Sequence, residues 1–181
     1  MTSVNARWSS RWAAWGVGLV LLVGTGTASE EDVQPAVGHR APDFTLRDPE
    51  GRAVQLAHVL KEKAVFLNFW ATWCPPCREE MPTMERAYHD YKPRGLEILA
   101  VSVDAGSEAA VAPKVEEFMS NLKLTFHALL DPQGDAIRAY RLRGLPVSFL
   151  IDRTGVIRAV EIGFRDWGSP ESRRKLEEIL K

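Results

Sequence analysis

The chain has 181 residues, of which 45% are hydrophobic, 26% charged and 9% aromatic, and its formal net charge is −1. That composition excludes disordered, collagenous and low-complexity chains, and the length suits one globular domain with a real core. The balance of charge leaves no basic excess to hold nucleic acid, and two cysteines are too few for a disulfide scaffold or a four-thiolate metal or iron–sulfur site.

The first 28 residues read as an address. Arg7 and Arg11 precede the unbroken apolar run Trp12–Val23, the small residues Gly24–Ala28 follow, and Ser29-Glu30-Glu31-Asp32 open a polar stretch. A basic region, a short apolar core and small residues before a polar start form a secretory signal, with the cut expected after Ala28. Left uncut, the same segment is a membrane tether through residues 12–28, although the run is short against the roughly 20 residues of a span. Either way the chain is exported, to the periplasm or the outer face of the cytoplasmic membrane. Residues 29–37 form a polar lead-in, and residues 38–181 form the domain.

Within the domain, Phe44–Leu46 and Ala53–Leu56 flank Asp48-Pro49-Glu50-Gly51 and predict a β-hairpin. Ala64–Ala71 is almost wholly apolar, the mark of a strand buried on both faces. Pro75 to about Lys92 predicts a helix, with Met81, Met84, Ala87, Tyr88 and Tyr91 on one face and Pro82 as a kink. Gly95 ends it, and Leu96–Val103 is a second buried strand. Pro113 is expected to open the next helix, through Val115, Phe118, Met119 and Leu122, because proline suits a first turn. A short strand over Leu124–Leu130 and a short helix over Gly134–Tyr140 follow. Val147–Ile151 and Val156–Ile162 read as strands joined by Asp152–Gly155, and Ser169-Pro170 starts the terminal helix with Ser169 as N-cap. The class is α/β: a central mixed sheet flanked by helices, with an N-terminal hairpin and a helical insert over Val111–Leu122.

Trp73-Cys74-Pro75-Pro76-Cys77 falls where a buried strand turns into a helix. Cys74 then lies at a helix N-terminus, where free N–H groups and the macrodipole favour a thiolate that attacks a partner's disulfide. Cys77, one turn deeper, resolves the mixed disulfide, and the two cysteines form the redox disulfide Cys74–Cys77. A Cys-x-x-Cys loop is too short to stabilise a chain much by loop entropy, so cycling is its expected use. Neither Pro75 nor Pro76 has an N–H to give the Cys74 thiolate, which favours a reductant, with a potential nearer about −270 mV than about −120 mV. Covalent haem attachment would need histidine where Arg78 stands. A metal would need ligands from His39, His58, His89 or His127, which read as surface or loop residues. No metal and no cofactor is expected.

Asn68–Pro82 (NFWATWCPPCREEMP) resembles the TlpA/ResA-like branch of thioredoxin-fold proteins, within the AhpC/TSA–redoxin superfamily. Ala41–Leu46 (APDFTL), Leu99–Asp104 (LAVSVD) and Gly144–Asp152 (GLPVSFLID) extend the match over nearly all of residues 36–181. The resemblance implies a thioredoxin fold and thiol–disulfide exchange, with protein thiols and disulfides as substrates, apocytochrome c or copper-site cysteines among them. It also implies a membrane-embedded thiol carrier as electron donor. It makes Pro146 a cis-proline facing the disulfide, with Leu145 free to pair with a substrate strand. Glu80, three residues after Cys77 and on the same helical face, is expected to take the Cys77 proton, with a raised pKa beside the Met81/Met84 stripe. Trp73 offers an apolar wall for docking, and Trp70 reads as partly structural. Ordinary thioredoxins carry an aspartate where this chain has Asn68, which cannot shuttle a proton and so moves that role to Glu80 or water. Two other readings stand beside this one. A thiol peroxidase would need a Pro-x-x-x-Thr/Ser-x-x-Cys approach, and Leu67 or Asn68 holds the proline's place. A copper chaperone on the same fold would use Cys-x-x-x-Cys with a distal histidine, for which His127 is the candidate.

Overall fold

The computed structural model describes residues 34–181. The expected signal or tether over residues 1–28, and residues 29–33 of the lead-in, lie outside the described residues. Among the described residues no helix is long and apolar enough to cross a membrane.

Seven strands form one mixed sheet: β1 Thr45–Arg47, β2 Ala53–Gln55, β3 Ala64–Trp70, β4 Leu96–Ser102, β5 His127–Leu130, β6 Val147–Ile151 and β7 Ile157–Ile162. Their order is β2-β1-β5-β4-β3-β6-β7. β3, β4 and β5 run parallel, and β6, β7 and the hairpin join antiparallel. β3 and β4 are buried at every residue because helices cover both faces of the sheet's centre. One face carries Phe66, Trp70, Ile98 and Ala100 against α2 (Pro75–Tyr91), α3 (Glu108–Asn121) and α5 (Pro170–Ile179). The other carries Val65, Leu67, Phe69, Leu99 and Val101 against Leu56, Leu60, Ala136 and Tyr140, from and beside α1 (Leu56–Val59) and α4 (Asp135–Ala139).

One edge of the sheet is short, and the other is covered at its start. β2 has three residues. The start of β7 is bridged by the 38–40 segment, with Gly38 N–H donating to the Ile157 carbonyl at 2.8 Å and Ile157 N–H to that of His39 at 2.9 Å.

Several boundaries differ from expectation. Pro113 does not open α3; it lies inside a helix that begins at Glu108. Ser107 takes the extended N-cap conformation, Glu108 meets the positive end of the dipole, and Val111 anchors the first turn in the core. Pro113 and Ala109 are exposed, so water can serve the Ala109 carbonyl that loses its helical donor. The α1 turn was not expected. Asp43 supplies its acceptor from a distance, taking the Ala57 N–H at 2.8 Å and the Gln55 amide at 2.6 Å. The fifth strand is confined to His127–Leu130. α2 continues unbroken through Pro82, and Ser169 caps α5 by accepting the Ser172 N–H at 3.2 Å.

Candidate active site

β3 delivers the chain to the site as a fully buried strand, and the turn that follows is pinned from below. Asp104, buried just past β4, accepts the Thr72 N–H at 3.0 Å, the Thr72 hydroxyl at 2.6 Å and the Ser102 hydroxyl at 2.7 Å. Cys74 N–H closes the turn onto the Ala71 carbonyl at 3.1 Å. Trp73 is thereby turned out and is 67% exposed, while Trp70 packs inward against Phe118. Sequence reasoning did not assign Asp104, because its partner Thr72 lies 32 residues away and nothing local marks the pairing.

Cys74 occupies the N-cap of α2 in an extended conformation, with Pro75 and Pro76 as the first helical residues. It forms a disulfide with Cys77, with Cα atoms 5.3 Å apart. Cys77 is fully buried and Cys74 is 4% exposed. Two of the first-turn donors are missing because prolines fill those places, but the third remains: the Cys77 N–H points at the Cys74 sulfur at 3.3 Å.

One turn along α2, Glu80 is buried while Glu79 faces solvent. Asn68 Nδ2 donates to Glu80 Oε1 at 2.8 Å, and the Arg165 peptide N–H donates to Oε2 at 3.1 Å. Burial pushes the Glu80 carboxyl up to about 7 against the opposing pull of the Arg165 and Asn68 donors. The Trp167 indole adds a weaker pull, although its N–H completes no hydrogen bond.

The Leu145–Pro146 bond is cis and precedes β6. Leu145 is half-buried, and its peptide N–H and carbonyl enter none of the described backbone hydrogen bonds, whereas the Pro146 carbonyl accepts from Gly163 N–H at 2.8 Å. Val147 pairs with Ile162, so the end of β7 lies beside the cis-proline. Ile162 (76% exposed) and Phe164 (48% exposed) add apolar surface there that the sequence reading did not single out. Trp167 is buried against Phe66 with ring centroids 4.1 Å apart, and its peptide N–H donates to Thr83 Oγ at 3.0 Å.

The histidines stand apart from the cysteines. His58, His89 and His127 are exposed and His39 is half-buried. His127 Nδ1 lies 3.3 Å from the buried carboxylate of Glu97, which also receives Lys63 Nζ at 2.5 Å and the Tyr88 hydroxyl at 2.7 Å. Burial alone would raise the Glu97 carboxyl, but its three donors win and hold it down at about 2. Glu97 in turn raises the His127 pKa. Engaged with this carboxylate, His127 gives no support to the copper-chaperone reading.

Residues 37–160 match the AhpC/TSA family. The chain is 39% identical over 165 residues to thiol-disulfide oxidoreductase ResA of Bacillus thuringiensis, covering 91% of this chain and 87% of that protein. It is 44% identical over 135 residues to the ResA of Geobacillus thermodenitrificans, covering 74% and 73% of the two chains. Among solved structures it is similar to the thioredoxin domain of a thiol-disulfide oxidoreductase from Bacteroides vulgatus, with a TM-score of 0.68, 27% identity, and 81% and 99% of the two chains covered. It is also similar to a thioredoxin-family thiol:disulfide interchange protein from Chlorobium tepidum, with a TM-score of 0.65, 28% identity, and 78% and 96% covered.

Proposed function

The chain belongs to the AhpC/TSA family and is a thiol-disulfide oxidoreductase of the ResA type, and on that premise we propose that it is an exported reductant of particular protein disulfides, such as those of apocytochrome c or of copper-site cysteines. The observation that carries the direction is the donor set around Cys74: of the first three helical positions only Cys77 offers an N–H to the sulfur. A thiolate with fewer donors is less stabilised, so the dithiol gives up its electrons more readily.

In the reduced protein the Cys74 thiolate attacks one sulfur of the substrate disulfide. That S–S bond breaks, the second substrate sulfur leaves as a thiolate and takes a proton from water, and Cys74 is joined to the substrate. Glu80 then accepts the Cys77 proton, and the Cys77 thiolate attacks the Cys74 sulfur. The Cys74–substrate bond breaks, and the substrate leaves with both cysteines reduced. A membrane-embedded thiol carrier restores the dithiol by the same exchange in reverse. Trp73, Ile162 and Phe164 supply the apolar walls, and the unpaired backbone of Leu145 beside Pro146 receives the substrate strand. Export rests on the basic and apolar pattern of residues 1–28.

The test is the reduction potential of the purified full chain, equilibrated in glutathione or dithiothreitol buffers. A value near about −270 mV is expected, and one above about −180 mV overturns the reductant reading. Cys77→Ala stalls the mixed disulfide and captures the substrate for identification.

A further inference from the structure

Asn68 is wholly buried in β3 and shows an asymmetry that packing does not explain. Both hydrogens of its Nδ2 are used, one on Glu80 Oε1 at 2.8 Å and one on Ser148 Oγ at 2.9 Å. Its carbonyl oxygen Oδ1 is equally buried and has no partner. A purely structural amide at this depth is expected to satisfy both ends, because an unmet buried acceptor costs about 1–3 kcal/mol.

We propose that Asn68 is a positioning residue for proton transfer at Glu80, its amide turned one way to donate to the ionised carboxylate and the other way to accept from the protonated acid. The inference rests on the reading of Glu80 as the group that takes the Cys77 proton. In the arrangement described, each Glu80 oxygen faces an N–H, which suits an anion. Once Cys77 passes its proton to Oε1, an O–H and an N–H point at each other. A half-turn about the Asn68 Cβ–Cγ bond exchanges Nδ2 and Oδ1. Oδ1 then accepts from the Glu80 O–H and from the Ser148 hydroxyl, which rotates freely. The Arg165 peptide N–H cannot make this exchange, so the amide is the adaptable partner. An aspartate at residue 68 could accept but, when ionised, not donate, and an aliphatic residue could do neither.

The surroundings isolate this pair. Asn68 of β3 and, from the segment after β7, the Arg165 peptide and the Trp167 indole face Glu80; Cys77 lies one turn back on α2, and Ser148 of β6 meets Asn68. Among the described residues no charged side chain pairs with Glu80; the Arg165 guanidinium instead meets Glu161 at 2.8 Å.

Two measurements on the full chain decide the matter. The first is the single-turnover rate at which the reduced protein reduces a Cys-x-x-Cys peptide disulfide, followed from about pH 5 to about pH 9. Because the charge-assisted bond lost to the carboxylate is worth more than the neutral bond lost to the acid, Asn68→Ala is expected to move the Glu80-linked inflection up by about one unit, with roughly tenfold loss near neutral pH and recovery in base. In a Glu80→Gln background the same change should move no inflection. An equal loss at every pH, or none, overturns the proposal. The second uses the unmutated chain and so does not depend on a variant folding. The side-chain amide resonances of Asn68 should follow the Glu80 titration in the reduced protein and lose that response in Glu80→Gln. Resonances that stay fixed through the titration overturn it. If Glu80→Gln leaves the wild-type pH profile intact, the proton-acceptor reading itself falls. If Glu80→Gln abolishes the inflection while Asn68→Ala leaves it in place, only the role of Asn68 falls.

Discussion

Replacing Glu80 with glutamine should make the oxidised protein more stable in mild base than in mild acid, relative to wild type. The carboxyl has an ordinary value of 4.5 and is pushed up to about 7 in the fold. A raised carboxyl pKa means that the folded state holds the proton more tightly than the unfolded chain. The associated stability is fully present below about 4.5 and is lost as the pH rises through about 7. At about 1.36 kcal/mol per unit, moving from about pH 5 to about pH 8 removes about 2.5 kcal/mol of wild-type stability through this one group. Glutamine does not titrate. It can satisfy only one of the two N–H donors, from Asn68 and Arg165, with its oxygen, so Glu80→Gln also loses a hydrogen bond at every pH. That constant loss cancels when the mutational effect at about pH 5 is subtracted from the effect at about pH 8. Urea denaturation of the two oxidised proteins at both values measures the difference directly. A pH-independent gap between them would show that Glu80 is ionised in the fold throughout this range, and would remove the basis for its role as proton acceptor.

Three further outcomes follow from the same contacts. Asp104→Asn should cost about 1–3 kcal/mol, because one buried carboxylate receives both donors of Thr72 and the Ser102 hydroxyl; faster amide exchange at Thr72 would report the loosened turn ahead of Cys74. Glu97 has the opposite sign to Glu80: its stability is present above about 4.5 and lost as pH falls through about 2, so Glu97→Gln should flatten acid unfolding in that window, read by circular dichroism. Trp73→Ala should leave stability within about 0.5 kcal/mol, since the ring is 67% exposed, yet slow reduction of a protein disulfide while leaving exchange with dithiothreitol unchanged.

The residues differ in how far they announce their roles. β3 and β4 are legible because strands covered on both faces need apolar residues at nearly every position, and the Cys-x-x-Cys spacing carries its own helix-start geometry. Glu80 is placed by helical periodicity counted from Cys77. What the sequence conceals is held by distant partners. Asp43 caps α1 across 14 residues, Asp104 anchors Thr72 across 32, and the Arg165 peptide reaches Glu80 across 85. Backbone donors such as Arg165 N–H leave no trace in side-chain identity at all. Pro113 misleads for a related reason: proline's preference for a first turn is local, whereas the burial of Val111 that starts α3 earlier is tertiary.

The guarded margins of the sheet bear on how densely the protein can be kept. A three-residue outer strand on one side, and on the other a strand whose beginning is occupied by the 38–40 segment, shorten the unpaired ribbon that another molecule could extend. Arg158 places an exposed charge on what remains of that second margin, while Glu161 is buried and paired with Arg165 and Lys175. Where copies of the chain crowd together, these short or partly covered margins limit the templates for stacking strand on strand.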